Sequence, residues 1–262
     1  MISSTSNPRV KRIRALQSKK AERDNENVFI IEGPRLLQEA LLARADVRTL
    51  FHLEHVDAGD QALINDLIVR GVEHETVGER VLKSMSATDT PQRMLAVVER
   101  PALSISQELD LGLVLDRISD PGNLGTILRT SRACGVDVVF LLEGTVDPYN
   151  PKVVRAAAGA HFHLPLVECR LETLAEVSHG IPLWVADAKQ GERYDCVDWI
   201  PPVAFVIGSE AHGHREQLNR LAAGHVRIPM QDETESLNAA IAGAVILFEI
   251  ARQRGEKCKS GR

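Results

Sequence analysis

The sequence predicts an α/β protein whose C-terminal part is built on a parallel β-sheet. Short runs rich in Val, Ile and Leu alternate with segments whose apolar residues recur at helical spacing, which is typical of a sheet covered by helices on both faces. The strongest strands are predicted at residues 111–115, 136–142, 183–186 and 203–207. A smaller α/β unit is predicted before them, in residues 1–100.

The predicted N-terminal unit begins with a basic segment in which Val10, Ile13 and Leu16 recur at helical spacing. The apolar run at 28–31 ends in Glu-Gly-Pro, so we predict a strand there, and Pro34 suits the start of the next helix. The other elements predicted in this unit are helices at 35–42 and 61–69 and strands at 47–53, 72–77 and 94–98.

Residues 101–110 are predicted to be a linker to a second domain at 111–262. In that domain, helices are expected to alternate with the strands, which is the pattern of βαβ units. These helices are predicted at 124–134, 151–160 and 216–223, and from about 237 to 254, with a short strand at 226–228 before the last one.

Basic residues are concentrated at the N-terminus, although the whole chain carries a net charge of −5. Residues 1–23 contain seven Lys and Arg residues against one acid, Glu22. Local positive charge of this kind suits contacts with phosphate groups. It equally describes a solvated terminal segment, so the charge pattern alone leaves RNA binding open.

The cysteines, the histidines and the length of the apolar stretches argue against several classes of protein. The four cysteines form no Cys-X-X-Cys pair, which argues against a disulfide framework or a zinc site. His212 and His214 with one nearby acid do not make a metal site, and no metal is expected. The most apolar stretch, at 239–248, is shorter than the roughly 20 residues of a membrane span, and no signal-peptide pattern is present. We therefore expect a cytoplasmic protein without a membrane partner.

Two glycine-containing segments in the second domain follow predicted strands. The first is DPGNLGTILRT at 120–130, with Asn123 at the expected start of a helix and Arg129 near its second turn. The second is FVIGSEAHG at 205–213, in which Gly208 ends a strand and Glu210 follows. Because α/β proteins bind ligands at the carboxyl ends of parallel strands, both segments are expected to border one crevice.

A third segment, from Ile228 to Val245, carries Ser236, Leu237 and Asn238 at the start of the last predicted helix. Small residues after Asn238 permit close packing against another backbone. Taken singly, each segment also fits an ordinary structural role. The first fits a helix cap with a surface arginine, the second a polar turn, and the third a capped amphipathic helix. The GxGxxG spacing of dinucleotide sites and the GxSxG of nucleophile elbows are both missing from these segments.

Together and in this order, NLGTILRTSRACG, FVIGSEAHG and IPMQDETESLNAAIAGAVILFEIARQR closely resemble the three motifs of SpoU/TrmH-type RNA 2′-O-ribose methyltransferases, in the SPOUT superfamily. The resemblance covers about residues 110–255. The front segment, NPRVKRIRALQSKKAERDNENVFIIEGPRLLQEAL, looks like the RNA substrate-binding domain of many members. The resemblance implies a trefoil knot in the C-terminal domain, S-adenosylmethionine as methyl donor, no metal, and a homodimer whose active sites draw on both subunits.

The resemblance also implies a cofactor site and a catalytic group. Gly208, Ile228 and Leu237 are expected to contact the cofactor, largely through backbone groups. Arg129 is expected to activate the ribose hydroxyl. A guanidinium is a reluctant base, so Arg129 acts either as the base or by stabilising the developing alkoxide, and both interpretations stay open.

Four further residues are implied to assist catalysis. Asn123, Ser236 and Asn238 are expected to orient the RNA and the loops, and Glu210 to hold the catalytic arginine or shape the pocket. The sequence departs from the family pattern at Asp232, where many members have glycine, and at His214, where an aliphatic residue is usual.

The expected substrate is ribosomal RNA, because the extra front domain suggests a large structured RNA. A tRNA 2′-O-methyltransferase is the nearest alternative. A non-catalytic RNA-binding factor of ribosome assembly that kept the fold is a second, and a small-molecule dehydrogenase is a distant third.

Overall fold

Two units make up the chain in the computed structural model, which describes residues 1–88, 90–209, 213–231 and 236–260, with only the backbone of 256–260. The first unit contains Met1–Ala102 together with Asp147–Phe162. The second contains Leu103–Val146 and His163–Arg262.

Regular elements alternate along the described residues. The helices are α1 (Pro8–Ser18), α2 (Lys20–Glu26), α3 (Pro34–Leu42), α4 (Ala58–Val69), α5 (Glu79–Met85), α6 (Pro121–Cys134), α7 (Pro151–Ala157), α8 (Leu174–Val177), α9 (Glu216–Leu221) and α10 (Ala239–Ser260). The strands are β1 (Val28–Glu32), β2 (Val47–Leu53), β3 (Glu73–Val77), β4 (Met94–Glu99), β5 (Leu111–Asp116), β6 (Val138–Leu142), β7 (Leu166–Cys169), β8 (Leu183–Ala186), β9 (Glu192–Arg193), β10 (Val203–Gly208) and β11 (Ala222–Arg227).

The first unit is a four-stranded sheet with helices on both faces. The strand order is β1-β4-β2-β3, with β4 antiparallel to both neighbours and β2 parallel to β3. Successive residues of β1 point to opposite faces, as strand geometry requires. Ile30 packs in the cluster that contains the apolar residues of α1 and α5, and Phe29 packs in the cluster of α3 and α4. The expected apolar side of α1 is confirmed, since Val10, Ile13 and Leu16 are fully buried.

Residues 147–162 belong to the first unit, whereas the sequence placed them inside the domain at 111–262. Val154 of α7 and Phe162 complete the core cluster around Phe29. Asp147 binds Arg23 of α2 at 2.5 Å, and this arginine is only 3% exposed. The segment is therefore held by core packing and by a buried ion pair. The functional division into an RNA-binding domain at 1–100 and a methyltransferase domain at 111–262 stays a prediction.

The second unit confirms the predicted α/β class. Its seven strands are ordered β7-β6-β5-β10-β8-β11-β9, and every pairing is parallel. Val114, Phe140 and Val206 are fully buried in its core, as expected for strands covered on both faces. The trefoil knot, which strand order does not reveal, stays a prediction.

Several boundaries differ from the expectation for local reasons. Helix α6 begins at Pro121 because Asp120 is its N-cap, accepting from the Asn123 amide at 2.7 Å, so Asn123 lies within the helix and is not its cap. Strand β6 begins at Val138, later than expected, since Gly135 ends α6 in the left-handed conformation and Val136 is still bonded to that helix.

Some elements were not expected at all. They are α2, α5, α8, β7 and β9. Each is seven residues long or shorter, so its periodicity is weak. Among the described residues, no helix combines the length and the apolar character that crossing a bilayer requires.

Candidate active site

A cavity of about 600 Å³ lies at the carboxyl end of the parallel sheet in the second unit. The ends of β8, β10 and β11 form one side, through residues 186–189 and 207–209 and through Val226 and Ile228. The start of α10 forms the other, with Ser236, Leu237, Ala239, Ala242 and Ile246 among its lining residues. The volume is within the roughly 300–1,000 Å³ typical of small-molecule sites. The second and third sequence segments therefore face a shared space, whereas the first segment, expected to border the same crevice as the second, contributes no residue to the lining of this cavity.

Gly208 is placed where any side chain would collide with backbone. A Cβ atom there would lie 2.4 Å from the carbonyl carbon of Gly213 and from the amide nitrogen of His214. Ser209 and Gly213 exchange two backbone hydrogen bonds of 3.0 and 2.8 Å, which closes the turn behind Gly208. The glycine is thus required for close approach of two chain segments, and that approach leaves its backbone facing the cavity.

A buried carboxylate holds the far side of this turn. Asp116, fully buried at the end of β5, accepts from the Arg215 amide at 2.8 Å and lies 2.9 Å from the Arg215 Nε. Because β5 is the direct neighbour of β10, with Asp116 opposite Gly208, the ion pair ties the segment after Gly213 to the sheet. Neither Asp116 nor Arg215 belongs to any of the three sequence motifs.

The first and third segments meet through two asparagines. The Asn238 amide nitrogen donates to the Asn123 Oδ1 at 3.0 Å. The Asn238 Oδ1 accepts from the amides of Ala240 and Ile241 at 3.0 and 3.2 Å, which caps α10. Asp120 already caps α6, so the Asn123 side chain is available for this contact across the two helices.

Arg129 stands apart from the cavity. It is exposed on α6, it does not line the cavity, and no side chain in the described part of the chain forms an ion pair with it. Ser236, Gly208, Ile228 and Leu237 all line the cavity. Glu210, expected beside the arginine, lies outside the described residues.

Asp187 and Lys189 also line the cavity, and neither was expected there from the sequence. Asp187 follows β8 directly, and a polar residue at a parallel strand end is a signal that could have found it. Its carboxylate accepts from the amides of Lys189 and Gln190 at 2.8 and 3.1 Å. Burial raises the pKa of Asp187, but these amide bonds outweigh burial, and the net pKa is below its usual value.

His214 lines the cavity, and its ring is held by a hydrogen bond to Asn219. Its Nε2 lies 2.6 Å from the Asn219 Oδ1, and the Nε2 of His225 lies 2.9 Å from the same oxygen. Both rings therefore donate to Asn219, because an amide oxygen only accepts. Within the described residues, no group of three or more potential ligands is arranged to hold a metal ion.

Parallel sheet, strand-end cavity and converging segments match a known class of enzyme. The model of the SpoU rRNA methylase family matches residues 110–248, and the chain belongs to this family. Residues 7–96 match the MRM3-like substrate-binding domain. The expected family is thereby confirmed.

Full-length relatives agree with this assignment. The chain is 31% identical to the 23S rRNA (guanosine(2553)-2′-O)-methyltransferase RlmP of Bacillus subtilis, over 95% of this chain and 98% of that protein. It is 30% identical to the 23S rRNA (uridine(2479)-2′-O)-methyltransferase of Streptomyces viridochromogenes, over 95% and 91%. The crystal structure of an rRNA methyltransferase from Sinorhizobium meliloti with bound AdoMet matches with a TM-score of 0.86 and 31% identity, covering 96% of this chain and 97% of that one.

Proposed function

We propose that the protein transfers a methyl group from S-adenosylmethionine to a ribose 2′-OH of ribosomal RNA. The observation that carries the proposal is the meeting of the three motif segments: the second and third line one cavity, and Asn238 bonds the third to Asn123 of the first. Family membership and the two 23S rRNA-modifying relatives support ribosomal RNA as the substrate class.

The cavity suits the proposed cofactor. S-adenosylmethionine, when bound, supplies a methyl group on an electrophilic sulfonium. Ile207, Ile228 and Leu237 offer apolar surface, and Gly208 offers bare backbone for polar contacts. Asp187, which stays ionised, supplies a negative charge on the same wall that favours a cationic ligand. These residues would hold the cofactor without a metal.

Arg129 is proposed as the catalytic group. A ribose hydroxyl is a poor nucleophile and loses its proton as it attacks, so the reaction gains from a fixed positive charge near the developing alkoxide. The exposed guanidinium of Arg129 is permanently charged and is available to an incoming RNA. Asn123, Ser236 and Asn238 are proposed to orient the RNA and the loops, and the proposed role of Glu210 rests on the family resemblance.

Residues 1–100 are proposed as the RNA substrate-binding domain, residues 101–110 as a linker, and residues 111–262 as the methyltransferase domain with a trefoil knot. The match to a substrate-binding domain at 7–96 supports the first assignment. The all-parallel sheet and its strand-end cavity support the last.

A homodimer is proposed on the basis of an apolar stripe on α10. Ile241 and Phe248 are 55% and 56% exposed, and Val245 lies between them on the same side of the helix. Exposed apolar groups at this spacing suit an interface with a second copy. Light scattering should give twice the chain mass, and the double substitution Ile241→Glu, Phe248→Glu should halve it. An unmodified protein that elutes as a monomer would contradict the dimer.

The cytoplasm is the proposed location, because that is where a bacterial-type 23S rRNA is available for modification. Cell fractionation of a tagged protein tests this, with the label expected among soluble proteins and assembling ribosomes. Label in a membrane fraction would contradict it.

The substrate is tested with labelled S-adenosylmethionine and two acceptors, unmodified 23S rRNA and unmodified tRNA. We expect label in 23S rRNA, with one phosphodiester bond becoming resistant to alkali because its 2′-OH is blocked. Label only in tRNA would favour the tRNA alternative. Binding of RNA without methyl transfer to either acceptor would favour an assembly factor.

A further inference from the structure

A second, much smaller pocket of about 50 Å³ lies within the first unit, between the β1–α3 connection and helix α7. Its floor is apolar, formed by Ile30, Leu36 and Val154, which are at most 8% exposed. Its rim carries Thr88, Lys152 and Arg155. The rim cations come from the segment 147–162, which is outside the part of the chain that matches a substrate-binding domain.

The side-chain charges of Lys152 and Arg155 are not neutralised by carboxylates of the described residues. Lys152 and Arg155 are exposed and three residues apart on α7, so they share a helix face. Neither forms an ion pair with a carboxylate in the described part of the chain. The N-terminal basic segment differs, because Arg9, Arg12 and Arg23 are each paired with a carboxylate.

Among the described residues that line this pocket, Glu32 is the only acid, and its carboxylate is held by three hydrogen bonds. Glu32 accepts from the Gln17 amide and the Ala87 backbone at 2.9 and 2.8 Å, and from the Ser86 hydroxyl at 2.7 Å. These bonds fix the loop that carries Thr88 against the end of β1. Three donors leave the carboxylate about one acceptor position, and no ion pair joins it to Lys152 or Arg155 among the described residues. The described lining of the pocket therefore carries two cations against one carboxylate, a net charge of about +1.

We propose that this pocket binds an unstacked nucleotide of the substrate RNA, with the base against the apolar floor and the flanking phosphates against Lys152 and Arg155. The negative charge of RNA complements the two cations, and RNA-binding proteins commonly stack single-stranded bases on aromatic rings or on the planes of arginine guanidinium groups, of which this rim offers Arg155. The inference rests on the proposed function, since it names where the substrate of that reaction is held.

The charge half of the proposal is tested with Lys152→Gln, Arg155→Gln and the double variant, using unmodified 23S rRNA in filter binding between 0.05 and about 0.2 M salt. The slope of log K against log salt is negative, and each lost phosphate contact should make it less steep by about 0.7. The slope of the double variant should therefore be less steep by about 1.4. At about 0.1 M salt, the same relation gives roughly fivefold weaker binding for each side chain. Arg44→Gln, an exposed arginine beyond the other end of α3, is the matched control and should leave the slope unchanged.

The base half is tested with Ala87→Phe. Ala87 is exposed at the pocket, so the added ring should cover the floor without entering the core. We expect RNA binding about fivefold weaker or worse, as for loss of one base contact, with the salt slope unchanged. Calorimetric affinity for S-adenosylhomocysteine and the midpoint of urea unfolding should both match the unmodified protein in every variant, which excludes misfolding of either unit.

Wild-type RNA affinity in the double variant, or in Ala87→Phe, would overturn the inference. A change of oligomeric state in the double variant without a change in salt slope would also overturn it, because the pocket would then be an interface between copies. If 23S rRNA is methylated normally by the unmodified protein while these variants bind it normally, the proposed function survives and the inference alone fails. An unmodified protein that neither binds nor methylates RNA contradicts both.

Discussion

The N-terminal segment of the first unit and the motif segments of the second use polar residues differently. In the first unit, Arg9 pairs with Glu73, Arg12 with Glu26, and Arg23 with Asp147. In the second, the segment at 205–213 approaches its own backbone closely at Gly208, and the first and third motif segments meet through the amide pair of Asn123 and Asn238. One region is held by charge pairs within the fold, whereas the other leaves its backbone groups facing a cavity.

This difference teaches that an excess of charge along a sequence is not a map of free charge on a surface. Residues 1–23 carry a local charge of +6, from seven bases and one acid. Asp147 neutralises one of these bases from 124 residues away. Residues at strand ends are easier to place from the sequence. A parallel sheet brings the carboxyl ends of its strands to the same edge, wherever those strands lie in the chain.

The largest effect is expected from breaking the buried pair of the first unit. Asp147→Asn leaves the Arg23 guanidinium buried without its counter-charge, which should lower the free energy of unfolding by about 3–5 kcal/mol. Urea unfolding followed by circular dichroism measures it. Asp66→Asn is the control, because it breaks an exposed i,i+4 pair with Arg70 and should cost at most about 0.5 kcal/mol. Equal effects of the two substitutions would show that burial of the Arg23–Asp147 pair adds nothing to its contribution to stability.

The next effect concerns the second unit. Arg129→Ala should lower kcat for RNA methylation by roughly 10²–10³-fold, because a preorganised charge at the developing alkoxide is lost. Affinity for S-adenosylhomocysteine should not change, since Arg129 does not line the cavity. Arg132→Ala, one turn further along α6, is the control. Near-normal turnover by the Arg129 variant would refute the catalytic role.

Acid should weaken the first unit through His161. Burial lowers the pKa of His161 to about 4, although its bond to the Pro148 carbonyl and nearby Asp147 oppose this. Unfolded histidine titrates near pH 6.5, so between about pH 6.5 and 4 the unfolded chain binds the extra proton and stability falls as pH falls, by about 3 kcal/mol in all. Above pH 6.5 this contribution is fully present.

The variant His161→Gln separates the contribution of His161 to the pH dependence of stability from the contributions of other titrating groups. The glutamine can still donate to the Pro148 carbonyl but does not titrate, so the unfolding free energy should vary less between pH 6.5 and 4. The measurement is a urea titration at several pH values. An unchanged pH dependence in the variant would show that other groups account for the slope.

A smaller effect should come from the tight turn in the second unit. Gly208→Ala forces a methyl group against the Gly213 backbone, which should cost about 1–3 kcal/mol and weaken binding of S-adenosylhomocysteine about tenfold or more. Gly255→Ala, whose Cβ meets no atom within 4 Å, should instead stabilise α10 by up to about 1 kcal/mol. Normal cofactor affinity in the Gly208 variant would argue against a backbone contact there.

Much of the fold could be predicted where a single pattern is strong. The bounds of β2 and β8 follow directly from their apolar runs, and the start of α3 follows from Pro34. Short elements such as α2 and β7 were missed because a few residues carry little periodicity. Within the site, the cavity-lining positions of Gly208, Ile228 and Leu237 agree with the motif order, while their roles stay proposals.

The sequence by itself determined the α/β class, the family, and the three motif segments, because strand periodicity and motif residues are local properties of the chain. Only the tertiary structure decided that two of these segments line one cavity, that residues 147–162 pack in the first unit, that Asp116 and Arg215 hold the turn after Gly208, and which of the described cations lack an ion pair. These features depend on contacts between residues far apart in sequence, and no local pattern records which distant partner a side chain will meet.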